Sequence, residues 1–314
     1  MTPHEHDDGL RSEGLQRYHA LNRSFGAPFV LHLSRRGFFS EVNVAIDAIT
    51  RGLVDRRRLI ITQHRFNDLR WCDAFASNLP DADAAEIELV PPDCQAHRAK
   101  SESFLALLNW TKEQSRSGTQ LRIEELGLGG DLFEVKRSIY SLFCRPNATV
   151  ATEVRQQMEA NGLHDKQFSA VHIRRGDKIA VQYRRGRPWS EGEDTSAAHC
   201  ADMVHRWAPG MRDVFVLTDD YRAVQDFRAA APGFRVVTLC PPHATGHDQS
   251  TFNAGRPEEK WATIRRLLVE ANIASRSQFF AGGFKSNIPK FIASVHFDPS
   301  RCVSTDSKIT PWPY

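Results

Sequence analysis

An α/β chain built from two Rossmann-like halves is the fold this sequence predicts, and three observations predict it. Near the N-terminus, FVLHL (29–33), the loop SRRGFFS, an amphipathic run at 41–51 and RLIITQ (58–63) give strand, loop, helix and strand within about 35 residues, the βαβ unit of a parallel sheet. From residue 168 onward, short apolar strands alternate with helical patterns, as in a doubly wound domain. The length of 314 residues exceeds what one hydrophobic core organises, about 250 to 300 residues, and so favours two domains.

Composition excludes several classes. Hydrophobic residues at 41% and charged residues at 25% are globular values, which rules out wholesale disorder. The 41 Lys and Arg nearly balance 38 Asp and Glu, so bulk attraction to nucleic acid is not expected and any bound anion must be met locally. No apolar run approaches the ~18 residues of a membrane helix, and MTPHEHDDGLRSEG is polar and acidic rather than signal-like, so residues 1–24 read as a mobile tail on a cytoplasmic protein. The six cysteines form no CxxC pair, which predicts reduced thiols and no zinc site.

In the first half, Val42, Ala45, Ile46 and Ile49 lie at helical spacing after the first strand. From 68 to 144 the pattern is less regular, with helices expected around 102–115 and 133–143 and irregular surface along LPDADAAEIELVPPDC. A new helix follows the Pro and Asn of CRPNAT and ends at Gly162, which sets a domain boundary near 146/147. The second half then reads as strand 168–174, helix 196–207, strand 213–218, helix 221–230, strand 234–239, helix 257–274, strand 277–282 and helix 286–294.

Chemistry gathers at the strand ends. In FSAVHIRRGDK, alternation puts Val171 and Ile173 on one face and His172 and Arg174 on the other, with Arg175, Gly176 and Asp177 at or beyond the carboxyl end. Two arginines there can hold a pyrophosphate through planar, bidentate hydrogen bonds and neutralise a departing diphosphate. Surface ion pairing is the alternative; a displayed Arg-Gly-Asp adhesion loop conflicts with the strand. In VFVLTDDYR, Asp219 can accept from a ribose or fix an arginine, or one of Asp219 and Asp220 caps the next helix. Gly282 and Gly283 in FFAGGFKSN form a turn before a helix start at Ser286 and Asn287, an anion site or a plain cap. Arg35, Arg36 and Gly37 precede a helix N-terminus in the same way, and two such loops suggest a ligand in a cleft between the halves.

Other patterns carry less. Asp81-Ala82-Asp83 matches the DxD of metal-dependent sugar transferases without a preceding strand and reads as surface. His243, His247 and Asp248 lie in CPPHATGHDQ, which has the composition of a mobile, unliganded loop. RRGRPW (184–189) reads as a solvated or substrate-facing loop.

VHIRRGDK resembles the HxRRxDK signature of GDP-fucose-dependent fucosyltransferases, closest to the α1,6 group of the rhizobial chitooligosaccharide and N-glycan core type. RRGFFSEVN, LTDD and LLVEANIASRSQFFAGGFKSN follow in the family's order, so the resemblance spans roughly 29–295, with the HxRRxD element its specific part.

The resemblance implies two facing Rossmann-like domains of the glycosyltransferase B type: an acceptor-side domain at 25–146 and a nucleotide-sugar domain at 147–314. It implies inverting transfer of L-fucose from GDP-fucose to a saccharide hydroxyl, in polysaccharide biosynthesis, with no metal and no cofactor beyond the donor. Arg174 would hold the diphosphate with Arg175 in support, and His172 would lie near the nucleoside. Glu270 would read guanine, and Phe284, Ser286 and Asn287 would form the late donor loop. Asp219, Arg36 and Gly37 complete the donor-binding candidates, and Asp177 and Lys178 support the loop or the chemistry. The α1,6 enzymes carry a glutamate where this chain has Gln182, so Glu191, Glu193 or Asp194 would supply the base. A nucleotide- or glycan-binding protein without catalysis, or a transferase of another nucleotide sugar, are the other readings.

Overall fold

The computed structural model describes residues 3–26, 28–62, 66–80, 100–164, 167–176, 182–184, 187–189 and 196–306. The chain divides into two compact units, Met1–Asn147 and Ala148–Pro313. Both contain parallel strands, and the α/β class expected from the sequence is what is found.

In the first unit, β1 (Pro28–His32) pairs in parallel with β2 (Arg58–Thr62) across α2 (Phe38–Val54), with Phe29 opposite Leu59 and His32 opposite Thr62. Helix α2 buries Val42, Ala45, Ile46 and Ile49, as its 3.6-residue spacing requires. A short α3 (Trp71–Ala74) follows, then α4 (Lys100–Ser117), an antiparallel hairpin of β3 (Leu121–Ile123) and β4 (Leu128–Gly130), and α5 (Leu132–Phe143). Asp131 caps α5, its side chain accepting from the Glu134 N–H while Glu134 accepts from the Asp131 N–H at 2.9 Å each.

The mobile tail expected at 1–24 is corrected: Pro3–Ser24 forms helix α1. Tyr18 is buried edge-on against Phe143, with ring centroids 4.9 Å apart. The Asn22 amide donates to the Leu59 carbonyl and accepts from the Leu59 N–H, both at 2.8 Å, pairing with the side of β2 away from β1 as an added strand residue would, next to the Ile61 N–H on the Pro80 carbonyl. The helices expected around 102–115 and 133–143 are α4 and α5, α3 and the β3–β4 hairpin were not foreseen, and the irregular surface expected along 79–94 lies, from 81 on, outside the described residues.

The second unit opens with α6 (Ala148–Ala160). Its sheet is wholly parallel, in the order β11–β10–β5–β8–β9, with β5 (Ser169–Ile173), β8 (Asp213–Thr218), β9 (Arg235–Val237), β10 (Phe279–Gly282) and β11 (Cys302–Ser304). A separate antiparallel pair, β6 (Gln182–Arg184) and β7 (Arg187–Trp189), lies between β5 and α7 (Ala197–Trp207) in the chain. Helices α8 (Tyr221–Ala230), α9 (Gln249–Ala254), α10 (Pro257–Ala274) and α11 (Asn287–Val295) complete the unit.

Strand alternation sorts the two faces. Val171, Ile173, Val214, Val216, Phe279 and Ala281 pack with residues of α7 and α8 in one apolar cluster. His172, Leu217 and Gly282 therefore point to the opposite face, the side on which α10 contacts β5 and β8. The chain runs from β5 outward to β9 and returns to β10 on the other flank of β5. The order thus reverses between β5 and β10, and ligands of such sheets bind outside the carboxyl ends at that reversal.

Among the described residues, no helix is long and apolar enough to cross a membrane, and no group of three or more His, Cys, Asp or Glu is arranged to hold a metal ion. Cys72, Cys144, Cys200, Cys240 and Cys302 are all free thiols.

Candidate functional site

The carboxyl end of β5 supplies His172, Arg174, Arg175 and Gly176, and the neighbouring end of β8 supplies Asp219. Arg174 Nη1 donates to Asp219 Oδ2 at 2.7 Å, an ion pair whose side chains are only 17% and 11% exposed. Asp219 Oδ1 accepts the Arg175 N–H at 2.7 Å, and Oδ2 also accepts the His247 N–H at 3.0 Å. Of the readings open for Asp219, the structure selects the one that fixes an arginine. Asp220 takes the capping role, accepting from the Arg222 N–H at 2.9 Å at the start of α8.

The loop after β9, expected from its composition to be mobile, is instead tied to its neighbours by backbone hydrogen bonds. It is pinned to the end of β8 by the Gly246 N–H on the Asp219 carbonyl and the Tyr221 N–H on the Ala244 carbonyl, both at 2.9 Å. Gly176 has φ +68°, and a Cβ there would lie 2.4 Å from the His247 carbonyl oxygen; Gly246, at φ +105°, would place one 2.7 Å from Gly176 Cα. Only glycine permits this close crossing of two chains in left-handed conformations. The turn after the two arginines is thus clasped by the 240–248 loop, a contact with no signal in the sequence beyond the glycines themselves.

Two buried titratable groups lie on the α10 face. His172 is 4% exposed, and its Nδ1 has no hydrogen-bond partner. Burial lowers its pKa to about 3, helped by the Arg174 charge and opposed by Asp219. Glu270 on α10 is completely buried with neither carboxyl oxygen hydrogen-bonded. Burial raises its pKa to about 8; Arg266, one turn earlier, pulls it down and Asp219 pushes it up. The Cys240 thiol is pushed up to about 12 by burial and then by Glu270, so it is an inert neighbour of the same cluster.

On the other side of β5, Gly282 at the end of β10 faces His172, and Ser286 is the N-cap of α11 with no side-chain cap bond. Phe284 is fully buried, edge-on to Phe280, and Asn287 begins the helix. Sequence reasoning missed Asp306, which is buried after β11 and accepts the Lys285 N–H at 3.0 Å, fixing the loop that carries Phe284 and Ser286. Its signal was the Thr-Asp that follows β11, a repeat of the Thr218-Asp219 ending of β8.

In the first unit, Arg36 and Gly37 do precede α2, with Gly37 as its N-cap. Both arginines of this loop are engaged: Arg35 pairs with Asp68 at 2.9 Å, and Arg36 Nε lies 3.3 Å from Glu41. Glu41, also missed, is almost wholly buried and accepts the Ser34 N–H at 2.6 Å and hydroxyl at 2.9 Å. Asp177, Lys178, Glu191, Glu193 and Asp194, along with Asp81 and Asp83, lie outside the described residues.

No protein-family model matches the chain, and no curated protein matches its sequence. Among solved structures, the fucosyltransferase NodZ from Bradyrhizobium superposes with a TM-score of 0.52 at 13% identity, over 85% of this chain and 92% of that one. The NodZ α-1,6-fucosyltransferase soaked with GDP-fucose gives 0.51 at 15% identity, over 88% and 97%. Co-crystallised with GDP, it gives 0.52 at 14% identity, over 85% and 92%. These likenesses show a shared fold across most of both chains.

Proposed function

We propose that the protein is a glycosyltransferase that moves L-fucose from GDP-fucose to a saccharide hydroxyl, with inversion at the transferred carbon and without a metal. The observation that carries this reading is Arg174 held by Asp219 beside the strand-order reversal, in a chain with the fold of an enzyme that has been co-crystallised with GDP and soaked with GDP-fucose. A guanidinium anchored on one edge and aimed past a strand end is suited to a diphosphate, whose charge grows as the glycosidic bond breaks.

In this reading Arg174 stabilises the leaving diphosphate, and the turn at Arg175 and Gly176 stays rigid under the Asp219 and His247 clasp. His172 and Glu270 take the nucleobase. Ser286, at the α11 N-terminus, lies near the phosphates. Three protein donors already occupy the Asp219 carboxylate, so it is not the base. That role falls to Glu191, Glu193 or Asp194, which would remove the acceptor hydroxyl proton as an oxocarbenium-like sugar forms.

The test is GDP-fucose turnover, by hydrolysis or by transfer, in wild type and Arg174→Ala. Loss of two or more decades, on the order of 3 kcal/mol, is expected for removal of one such donor; near wild-type turnover would overturn the assignment. Gln182, standing where the α1,6 enzymes carry a glutamate, favours one other reading, a binder that has lost its base. That reading predicts GDP affinity with no turnover under any acceptor.

A further inference from the structure

We propose that Glu270 is a neutral acid in the free protein and that it surrenders its proton when a nucleobase edge bearing two N–H donors docks on it, so that donor binding releases a proton. The inference rests on the nucleotide-binding reading above and goes beyond it, because it concerns the charge state that the ligand has to change.

The geometry comes first. Glu270 is fully buried, and neither oxygen meets a donor. A carboxylate so placed would be an unpaired charge stripped of water, the most costly state for the group, whereas the neutral acid only forgoes hydrogen bonds. On its own helix Arg266 stands four residues earlier, its Nε also buried and without a partner, a cation ready to favour ionisation once donors arrive. From β8 comes the Asp219 carboxylate, occupied by Arg174, and from the loop after β9 the Cys240 thiol. On the same face of β5, His172 is buried with Nδ1 unpartnered. Helices α6 and α11 also pack on α10, but of their residues none contributes a charge that moves the Glu270 pKa, which is shifted up to about 8 chiefly by burial.

A guanine edge presents N1–H and the exocyclic N2–H side by side. It suits a carboxylate, which accepts both, and clashes with a neutral acid, whose O–H would meet a donor. Docking that edge therefore has to drive the proton off. A uracil edge, with one N–H flanked by carbonyl oxygens, suits the neutral acid and exchanges no proton. The protonation state of Glu270 thus becomes part of base selection.

The experiment has a ligand-free arm and a ligand arm. Without ligand, the folded-state pKa lies above the unfolded one, so the stabilisation from the neutral acid is complete below the unfolded value of about 4.5 and is lost as pH rises towards about 8. Wild type should therefore lose stability against Glu270→Gln across that range, and parallel pH profiles would overturn the neutral acid whichever nucleotide binds. Should Glu270→Gln fail to fold, infrared titration of wild type replaces it: a buried carboxylic-acid C=O band should persist at neutral pH and fade on raising the pH, and its absence overturns the proposal. With GDP, calorimetry in buffers of different ionisation enthalpy should show release approaching one proton per GDP near pH 6 to 7, and below about pH 8 the GDP Kd should tighten by up to about tenfold for each unit that the pH is raised. GDP binding without proton release overturns the coupling alone. Binding of UDP with none of GDP overturns the donor reading, and the coupling with it.

Discussion

Arg174 Nη1 and Asp219 Oδ2 lie 2.7 Å apart, and the same carboxylate gathers the Arg175 and His247 N–H groups. One side chain therefore sets the direction of the guanidinium, the shape of the turn behind it and the position of the 240–248 loop. Asp219→Asn keeps the volume but substitutes a donor for one acceptor oxygen, so that an N–H faces either Arg174 and the His247 N–H together or the Arg175 N–H. Breaking a buried pair on one side typically costs about 3 to 5 kcal/mol, and the residual exposure here puts the expected loss near the lower figure. Urea unfolding should show that loss, together with GDP affinity at least about tenfold weaker; unchanged affinity would mean that Arg174 needs no support from Asp219.

The Gly176 clasp makes a separate prediction. Gly176→Ala places a methyl 2.4 Å from the His247 carbonyl oxygen at a residue with φ +68°. The left-handed conformation alone costs about 1 to 2 kcal/mol for a non-glycine residue, before any displacement of the loop. Gly210→Ala is the control, since its methyl would meet nothing within 4 Å and its backbone is not left-handed. The first variant should lower the melting temperature by several degrees and weaken GDP, and the second should do neither.

His172 gives an acid limb to stability. Its folded-state pKa, about 3, lies below the unfolded value of 6.5, so the unfolded chain binds the extra proton. The stabilisation is complete above about pH 6.5 and declines as pH falls towards 3, the opposite slope to that of Glu270. His172→Gln should flatten the decline between about pH 6 and 4 in chemical unfolding curves. An unchanged slope would show that the imidazole is not held neutral.

The β5 site was legible because an apolar strand stops at two arginines and a glycine, and position at a strand end is what raises a charged pair above surface noise. Most of the second unit was legible, since buried parallel strands and amphipathic helices carry strong periodicity: 221–230 and 257–274 are helices as expected, whereas the short β6–β7 pair, α9 and β11 were not foreseen. What was hidden is long-range. Nothing local in CPPHATGHDQ says that its backbone will be gripped by Asp219, and nothing near Glu41 says that its carboxylate will hold a loop. Helix α1 was missed because its sequence is polar and it docks through few residues, with Tyr18 and Asn22 doing the anchoring.

That docking makes α1 a structural part of the first unit. Asn22 satisfies both backbone groups of Leu59 on the side of β2 away from β1. Asn22→Ala leaves a buried N–H and a buried carbonyl unpaired, at about 1 to 3 kcal/mol each. Tyr18→Ala opens a void against Phe143, and aromatic-to-alanine truncations of buried rings cost about 3 to 5 kcal/mol. Asn22→Asp, which still accepts the Leu59 N–H but cannot donate to its carbonyl, should fall between wild type and Asn22→Ala. Removal of residues 1–24 should uncover the Leu59 N–H and carbonyl on the edge of β2 and promote association, because uncovered groups on a strand edge are a template for pairing with another chain. Thermal unfolding of the three variants and light scattering of the truncated chain measure this directly; a truncated chain as stable and monodisperse as the full one would return 1–24 to the status of a tail.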